Sequence, residues 1–348
     1  MKRTKRGALR RFFPLLLLLV VAGLAWVGYG IYRNVLFPFQ GYGKNTVVKI
    51  DSGMSVAAIG KKLQGHGVIA SAAYFNRYYR LFFAGKKLKA GEYLFDEPLS
   101  MRQVIEKLEK GKAILYKVTV KEGLWIGEVA QILEAAGLFP ASAFRRAASD
   151  TALIRDLDTE ATDLEGYLFP DTYLVGKDIT AREMAALMVD HFRKNFPNTF
   201  TWRARDIGFS VRQAVIMASL VEKETANRDE RFLVSSVFHN RLRLNMLLDC
   251  DSTIIYDLKR EGRYDGDLRW GDLKNDSPYN SRQHHGLPPG PIANPGAASL
   301  EAALYPENSD YLYFVARGGG NHYFSKTLAE HNRAVWKFII NRKETDLD

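Results

Sequence analysis

The chain has 348 residues, 47% hydrophobic and 25% charged, a globular composition that argues against wholesale disorder and allows two or three domains. Its net charge is +10, but six positive charges fall in the first eleven residues (Lys2, Arg3, Lys5, Arg6, Arg10, Arg11). The rest carries only about +4 and lacks the basic stripe that a nucleic-acid partner requires. The single cysteine, Cys250, excludes an internal disulfide and a cysteine-ligated zinc cluster.

Residues 1–11 read as a cytoplasmic basic tail and residues 12–32 as a transmembrane anchor. Phe12 to Tyr32 contains no charge. At about 1.5 Å per residue it spans about 30 Å, the thickness of a hydrocarbon core. Basic residues crowd its N-terminal side and only Arg33 follows closely, so the positive-inside rule places Met1 in the cytoplasm and the remainder beyond the membrane. Trp26, Tyr29 and Tyr32 suit the outer interface. A cleaved signal peptide is the rival reading. The run exceeds a usual signal-peptide core and shows no strong small-x-small site before Trp26, which points to an uncleaved anchor.

Residues 45–155 contain an internal repeat at an offset of 70. Residues 47–69 (VVKIDSGMSVAAIGKKLQGHGVI) align with 117–139 (KVTVKEGLWIGEVAQILEAAGLF), matching Val48 to Val118, Gly53 to Gly123, Leu63 to Leu133 and Gly67 to Gly137. Each copy reads as an alternating strand, a glycine turn, an amphipathic helix and a glycine suited to the position after a helix. Between them, 88–95 reads as a strand and Ser100 to Leu108 as a helix stopped by Gly111. The units resemble LysM-like modules, a resemblance that implies binding of peptidoglycan N-acetyl sugars. A generic α+β packing unit without a ligand fits the same pattern. The fold class expected is α+β: a transmembrane helix, LysM-like α+β modules, then an α+β catalytic domain over 160–342.

In that last region, Asp163 to Tyr173 reads as a loop entering a short extended segment. A helix is expected from Thr180 to Phe192, with a break at Pro197. Ser210 and Gln213 form a capping box, and Val211, Ala214, Val215 and Ala218 make one apolar stripe on the helix that follows. Glu222 is the next position on that stripe. A carboxyl group there is partly desolvated, which suits a general acid. Glu224 points about 200° away and is expected to be wetter. The bland alternative makes Glu222 a helix-end carboxylate paired with an arginine. Asn227 and Glu230 read as the cap of a further helix. Residues 277–296, rich in Gly and Pro, read as a rigid functional loop. A hairpin (311–316 with 322–325) and a last helix (about 327–341) close the chain.

The sequences Leu164-Glu-Gly-Tyr-Leu-Phe-Pro-Asp-Thr-Tyr173, Ala218-Ser-Leu-Val-Glu-Lys-Glu-Thr225, Val237-Phe-His-Asn-Arg-Leu242, Asp251 with Thr253 and Tyr256, Tyr279-Asn280, Gly286-Leu-Pro-Pro-Gly-Pro-Ile-Ala-Asn-Pro-Gly296 and Tyr311-Leu-Tyr-Phe-Val315 occur in order. Together they resemble the YceG-like endolytic murein transglycosylases over nearly the whole chain. The resemblance implies a lyase anchored in the bacterial inner membrane that faces the cell wall. Such an enzyme cleaves nascent glycan strands internally, ending their growth, beside a glycan-polymerising synthase. The family's catalytic acid, the first Glu of Val-Glu-Lys-Glu-Thr, falls on Glu222. Family members often carry Gln where this chain has Asp249, Pro where it has Ser252, and an aromatic residue where it has Arg282.

The mechanism implied needs one carboxyl group and neither metal nor organic cofactor. Asp251, Thr253, Tyr256, Tyr279, Asn280, Leu287, Pro288, Pro289 and Asn294 are expected to shape the groove and bind sugar hydroxyls and acetamido groups. Tyr279 and Asn280 also suit a purely structural role, capping the Pro-rich loop. Two other readings stay open. One is a non-catalytic wall-binding scaffold. The other is a metal-dependent hydrolase built on His239, His284, His285, His322 and His331, although no His-Glu-x-x-His spacing is present.

Overall fold

The computed structural model describes residues 6–341, with side chains from Pro14 onward. Residues 1–5 of the expected basic tail, and residues 342–348, lie outside the described residues. Helix α1 (Arg6–Ile31) continues into a π-helical turn, Tyr32–Leu36. Among the described residues it is the one helix long and apolar enough to cross a membrane, over Pro14–Leu36, and none of its most apolar window is buried. That fits a membrane anchor or a signal sequence.

The chain forms two compact units. The first runs through Tyr116 and includes Val175–Asp178. Strand β1 (Thr46–Ile50) pairs antiparallel with β2 (Gly91–Phe95), Val48 opposite Tyr93. Alternation decides which face is covered: Val48 and Ile50 are buried, while Val47 and Lys49 face water. Helices α2 (Val56–Gly65), α3 (Ala72–Phe82) and α4 (Met101–Lys110) close the unit. Ser55, Ser71 and Ser100 cap them through their side chains, and α4 stops at Gly111 with φ 71°. Ile59, Leu63, Phe75, Phe95, Ile105 and Leu108 fill the core, and Val35 from the turn after α1 is buried among them.

The second unit holds 117–174 and the residues from Ile179 onward. Its elements are β3 (Tyr116–Thr119), α5 (Ile126–Ala135), α6 (Ala141–Ala148), β4 (Thr172–Val175), α7 (Ala181–Asn195), α8 (Asn198–Asp206), α9 (Val211–Glu224), α10 (Arg231–Arg243), α11 (Asp251–Arg260), α12 (Ala297–Leu304), β5 (Tyr313–Gly318), β6 (Asn321–Ser325) and α13 (Leu328–Val335). β3 pairs with β4, and β5 pairs antiparallel with β6. Helix α9 is the axis of the unit, packed against α8, α10, α11 and α12. The expected single apolar stripe on α9 is too narrow a description. Every residue from Ala214 to Val221 is buried, because Ala214, Ala218 and Ser219 leave room for helices on all sides.

Two local expectations are refined. The break expected at Pro197 is present, with Phe196 and Pro197 separating α7 from α8, but it is short, because Pro197 caps α8 at no cost in hydrogen bonds and the polar residues after it are helical. Asn227 caps a short 3-10 turn, Arg228–Glu230, and α10 begins after it. Both repeat copies fold as read, with left-handed glycines at Gly53, Gly67, Gly123 and Gly137. The first copy lies in the first unit and the second copy in the second.

A buried ion pair braces α9. Asp158, its side chain 1% exposed, accepts from Arg212 at 2.6 Å and from the Tyr167 hydroxyl at 2.8 Å. Burial pushes the Tyr167 phenol well up. Asp158→Ala strands both partners and is expected to cost about 3–5 kcal/mol. The denaturation midpoint of the full chain in detergent reads the loss, and an unchanged midpoint would contradict it.

Candidate active site

Helix α9 ends at Glu224, where Thr225 turns the chain extended. Glu222 therefore sits on the last turn, facing an open cleft of about 790 Å³ lined also by Glu122, Asp171, Lys223, Glu224 and Arg231. Its side chain is 5% exposed. One carboxylate oxygen accepts from the Arg231 guanidinium at 3.1 Å and the other from the Gly296 backbone N–H at 3.0 Å. Arg231, at the start of α10, also reaches Glu122 at 3.5 Å. Its Nε and Nη1 are buried without a hydrogen-bond partner.

Three segments assemble around this carboxylate. The glycine turn of the second repeat copy, Lys121-Glu122-Gly123, forms one wall. Lys223 donates to the Gly123 carbonyl at 3.1 Å. The end of the Pro-rich loop reaches the carboxylate through Gly296, and the turn at 164–168 supports both. Asn294 ties them together. Its Oδ1 accepts from the Gly166 and Leu168 N–H groups at 2.9 and 3.0 Å, and its Nδ2 donates to the Leu124 carbonyl and Glu165 at 2.9 and 3.0 Å. Gly166 adopts φ 86°, and a Cβ there would stand 2.6 Å from Pro291. Gly296 is pressed in the same way, since a Cβ would stand 2.0 Å from the Glu122 carboxylate.

Glu224, expected to be the wetter of the two carboxyl groups, is itself withdrawn from water. The helix ends there, so its side chain falls against the start of α11 and accepts from Ser252 at 2.7 Å. Burial raises its pKa, Asp251 adds to the rise, and the Ser252 hydrogen bond opposes it. Glu165 is raised further by burial, although Ile126, Asn294 and Tyr256 all donate to it.

A sequence model of the YceG-like family matches residues 48–337. The chain belongs to the YceG-like family. It is 33% identical over 328 residues to the endolytic murein transglycosylase of Bacillus subtilis, covering 90% of each chain. It is 29% identical to the protein of that name from Streptococcus pneumoniae, covering 95% of this chain and 65% of that one. The fold resembles the crystal structure of a YceG-like protein from Listeria monocytogenes, with TM-score 0.58 and 34% identity over 83% of this chain and 98% of that one.

Within this YceG-like fold the residues expected to bind substrate lie in several places. Asn294, Asn280 and Thr253 are fully buried. Asn294 is committed to the clamp. Asn280 donates to the Leu273 and Asn275 carbonyls and accepts from the Arg282 N–H. Thr253 bonds the Cys250 carbonyl and Ser281. Their hydrogen bonds hold loops in place, which is the structural role left open for Asn280. Asp251 is exposed and paired with Arg282 at 2.7 Å, and Arg282 also holds Asp249 at 2.9 Å. Tyr256 is buried against Tyr279 and Trp125. Tyr279 and Pro289 line a second cavity of about 590 Å³ with Arg212 and Arg260. Pro288 is buried and Leu287 half-buried.

Among the described residues no three of His, Cys, Asp or Glu converge as a metal site. His239 stacks on Phe209 and bonds the Ala303 carbonyl, and burial lowers its pKa. His322 and its own backbone N–H engage Glu230. His331 stacks on Tyr313 and His284 faces Asp276, while His285 is exposed in the loop.

Sequence reasoning passed over Arg231 and Glu122. The pairing of Glu222 with an arginine was foreseen, its identity was not. Glu122 had a signal in the repeat, where it replaces Ser52 of the first copy.

Glu224 yields a pH prediction. Its folded-state pKa lies above the unfolded value, so between the two the native state holds the extra proton. That contribution is complete below the unfolded value of about 4.3 and is lost as pH rises through the folded one. Glu224→Gln is therefore expected to flatten the fall in stability with rising pH. Urea midpoints across that range measure it, and parallel curves for the two proteins would refute it.

Proposed function

We propose that this chain is an endolytic lytic transglycosylase of peptidoglycan, anchored by α1 with its N-terminus cytoplasmic and the second unit facing the wall. It cuts the bond between N-acetylmuramic acid and N-acetylglucosamine in nascent strands and leaves 1,6-anhydro-muramic ends, which terminates their elongation. The observation that carries the reading is Glu222, a tucked-in carboxyl group on the wall of an open cleft, in a chain of the YceG-like family.

Glu222 gives its proton to the oxygen that links the two sugars, and the C1–O bond breaks through an oxocarbenium-like state. The carboxylate then takes the proton of the muramic C6 hydroxyl, whose oxygen bonds C1. The leaving sugar keeps the first proton, Glu222 regains one, and no water is consumed. In the free structure both contacts to Glu222 are donated to it, so each oxygen is engaged as an acceptor. Arg231 has a second carboxylate within reach, Glu122. Substrate entry moves the guanidinium toward Glu122 and frees one oxygen of Glu222 for proton transfer. The unpartnered Nε and Nη1 of Arg231 are donors for a sugar or acetamido oxygen. Asp251 and the loop at 287–289 contribute outer groove contacts, and the buried Thr253, Asn280 and Asn294 act by fixing the loops. A polymerising synthase that delivers the strand is the partner this reading requires.

The test is incubation of the full chain with uncrosslinked glycan strands and mass spectrometry of the new ends. Glu222→Gln is expected to lower the rate by roughly 10²–10⁴-fold with strand binding intact. Reducing ends would mean hydrolysis and a second carboxylate. No cleavage by the unaltered chain, with strands still bound, would favour a wall-binding scaffold.

Glu122→Gln tests the exchange. The loss expected is roughly tenfold in kcat with KM nearly unchanged, because one charge-assisted contact is removed from the turnover step rather than from binding. An equal rise in KM with kcat unchanged would place Glu122 in the groove instead.

A further inference from the structure

Helix α3 leaves an apolar tip uncovered beside the outer end of α1. Leu81 is 76% and Phe82 67% exposed at its last turn. Tyr78 packs against Phe82 with the rings tilted and their centroids 4.7 Å apart, extending the apolar surface along the helix. An open groove of about 470 Å³ separates α3 from α1, lined by Trp26, Tyr29, Tyr74, Tyr78, Leu81 and Phe82. Exposed aromatic and aliphatic surface of this kind on a folded module marks a contact.

Charge and placement say with what. Residues 71–90 carry five basic side chains, Arg77, Arg80, Lys86, Lys87 and Lys89, and no acidic one. Arg77, Arg80 and Lys87 are exposed, and only Lys86 pairs with a carboxylate, Glu109 at 3.1 Å. Arg33 adds a further exposed cation at the lip of the groove. The placement of α3 beside α1 is fixed by the core: Val35 is buried in the first unit's core, and the Phe39 N–H bonds the Leu99 carbonyl at 3.0 Å. A Cβ at Gly30 would stand 3.3 Å from the Tyr74 hydroxyl, so α3 starts against the end of α1. Trp26 and Tyr29, the aromatic residues suited to a membrane interface, thus share one groove with the tip of α3.

We propose that α3 is an interfacial helix. Leu81, Phe82 and Tyr78 sink into the outer leaflet beside the span, and Arg77, Arg80, Lys87 and Arg33 meet anionic lipid headgroups. An apolar face sunk about 5–10 Å with a basic rim is the physics of a helix lying in a membrane surface. The inference rests on the reading of α1 as a membrane anchor. It makes the first unit seated on the bilayer rather than tethered above it.

The experiment uses the full chain in lipid nanodiscs containing phosphatidylglycerol and a spin-labelled quencher lipid. An environment-sensitive fluorophore is attached at Leu81→Cys, with Leu17→Cys in the span and Lys61→Cys on α2 as references. The unsubstituted chain, whose Cys250 is buried, gives the labelling background. Quenching at 81 is expected to exceed that at 61 severalfold and to approach that at 17. Quenching at 17 with 81 no stronger than 61 overturns the docking and leaves the anchor standing. No quenching at 17 or 81 overturns both. Arg77→Glu with Arg80→Glu and Lys87→Glu, on the labelled chain, is expected to halve the signal at 81 or more. An unchanged signal there, or equal quenching in phosphatidylcholine alone, overturns the headgroup part of the proposal.

Discussion

Everything around Glu222 depends on one buried amide. Asn294 has no exposure and uses both ends of its side chain, two acceptances and two donations, to join the turn at 164–168, the loop after β3 and the Pro-rich loop. None of these segments is a regular element, so none could hold its shape through a helix or sheet ladder. A buried amide left with unmet hydrogen bonds is costly, and one with all of them met is rigid. The clamp fixes the residue two positions on, Gly296, whose N–H holds the Glu222 carboxylate. The position of the Glu222 carboxylate is thus set by backbone from a loop as much as by the helix that carries it.

The electrostatics of the cleft follow from desolvation. Arg231 is 3% exposed, and a guanidinium taken out of water requires partners. It has two carboxylates, at 3.1 and 3.5 Å, and two nitrogens with none. An incompletely satisfied buried cation beside a carboxyl group is a poor arrangement for stability alone. It becomes economical if a ligand supplies the missing acceptors. Glu224, two residues on but against a different helix, takes another course: burial raises its pKa, and its hydrogen-bond partner is the Ser252 hydroxyl rather than a cation. Two glutamates two residues apart therefore differ in character because α9 ends between its own core and the start of α11.

Much of the fold was legible in the sequence, and the legible parts share a cause. Ser210 with Gln213, Thr180 with Glu183 and Ser100 with Gln103 are capping boxes whose partners lie three residues apart, so short-range sequence suffices. The repeat was legible because its glycines must adopt positive φ wherever it folds. Glu222 was legible as the next step of a helical stripe. What escaped depends on distant partners. Asn294 and Thr253 were expected to shape the groove and bind sugar, and the hydrogen bonds that bury them were not legible. Their partners lie 126–170 residues away for Asn294 and 28 away for the Thr253–Ser281 contact, and no local pattern records them. The withdrawal of Glu224 from water escaped because helical angle predicts exposure only while the helix continues.

The repeat shows how a single local design serves two ends. In the first copy the turn is Asp51-Ser52-Gly53, its acid bonded to Lys62 of the following helix at 2.8 Å, and the unit is complete in itself. In the second copy the same turn is Lys121-Glu122-Gly123, and α5 after it is anchored by a carboxylate, Glu165, at its first N–H. Lys62 of the first copy has Ile132 as its counterpart in α5, so the turn's acid has no cation at that position of the helix, and Glu122 reaches Arg231 instead. The geometry of strand, left-handed glycine and helix is unchanged, because the backbone determines it. The two side chains preceding the glycine differ, Asp51-Ser52 in one copy and Lys121-Glu122 in the other. It is this freedom, a fixed turn with a variable charge at its tip, that lets a packing unit become the wall of a cleft without any change of fold.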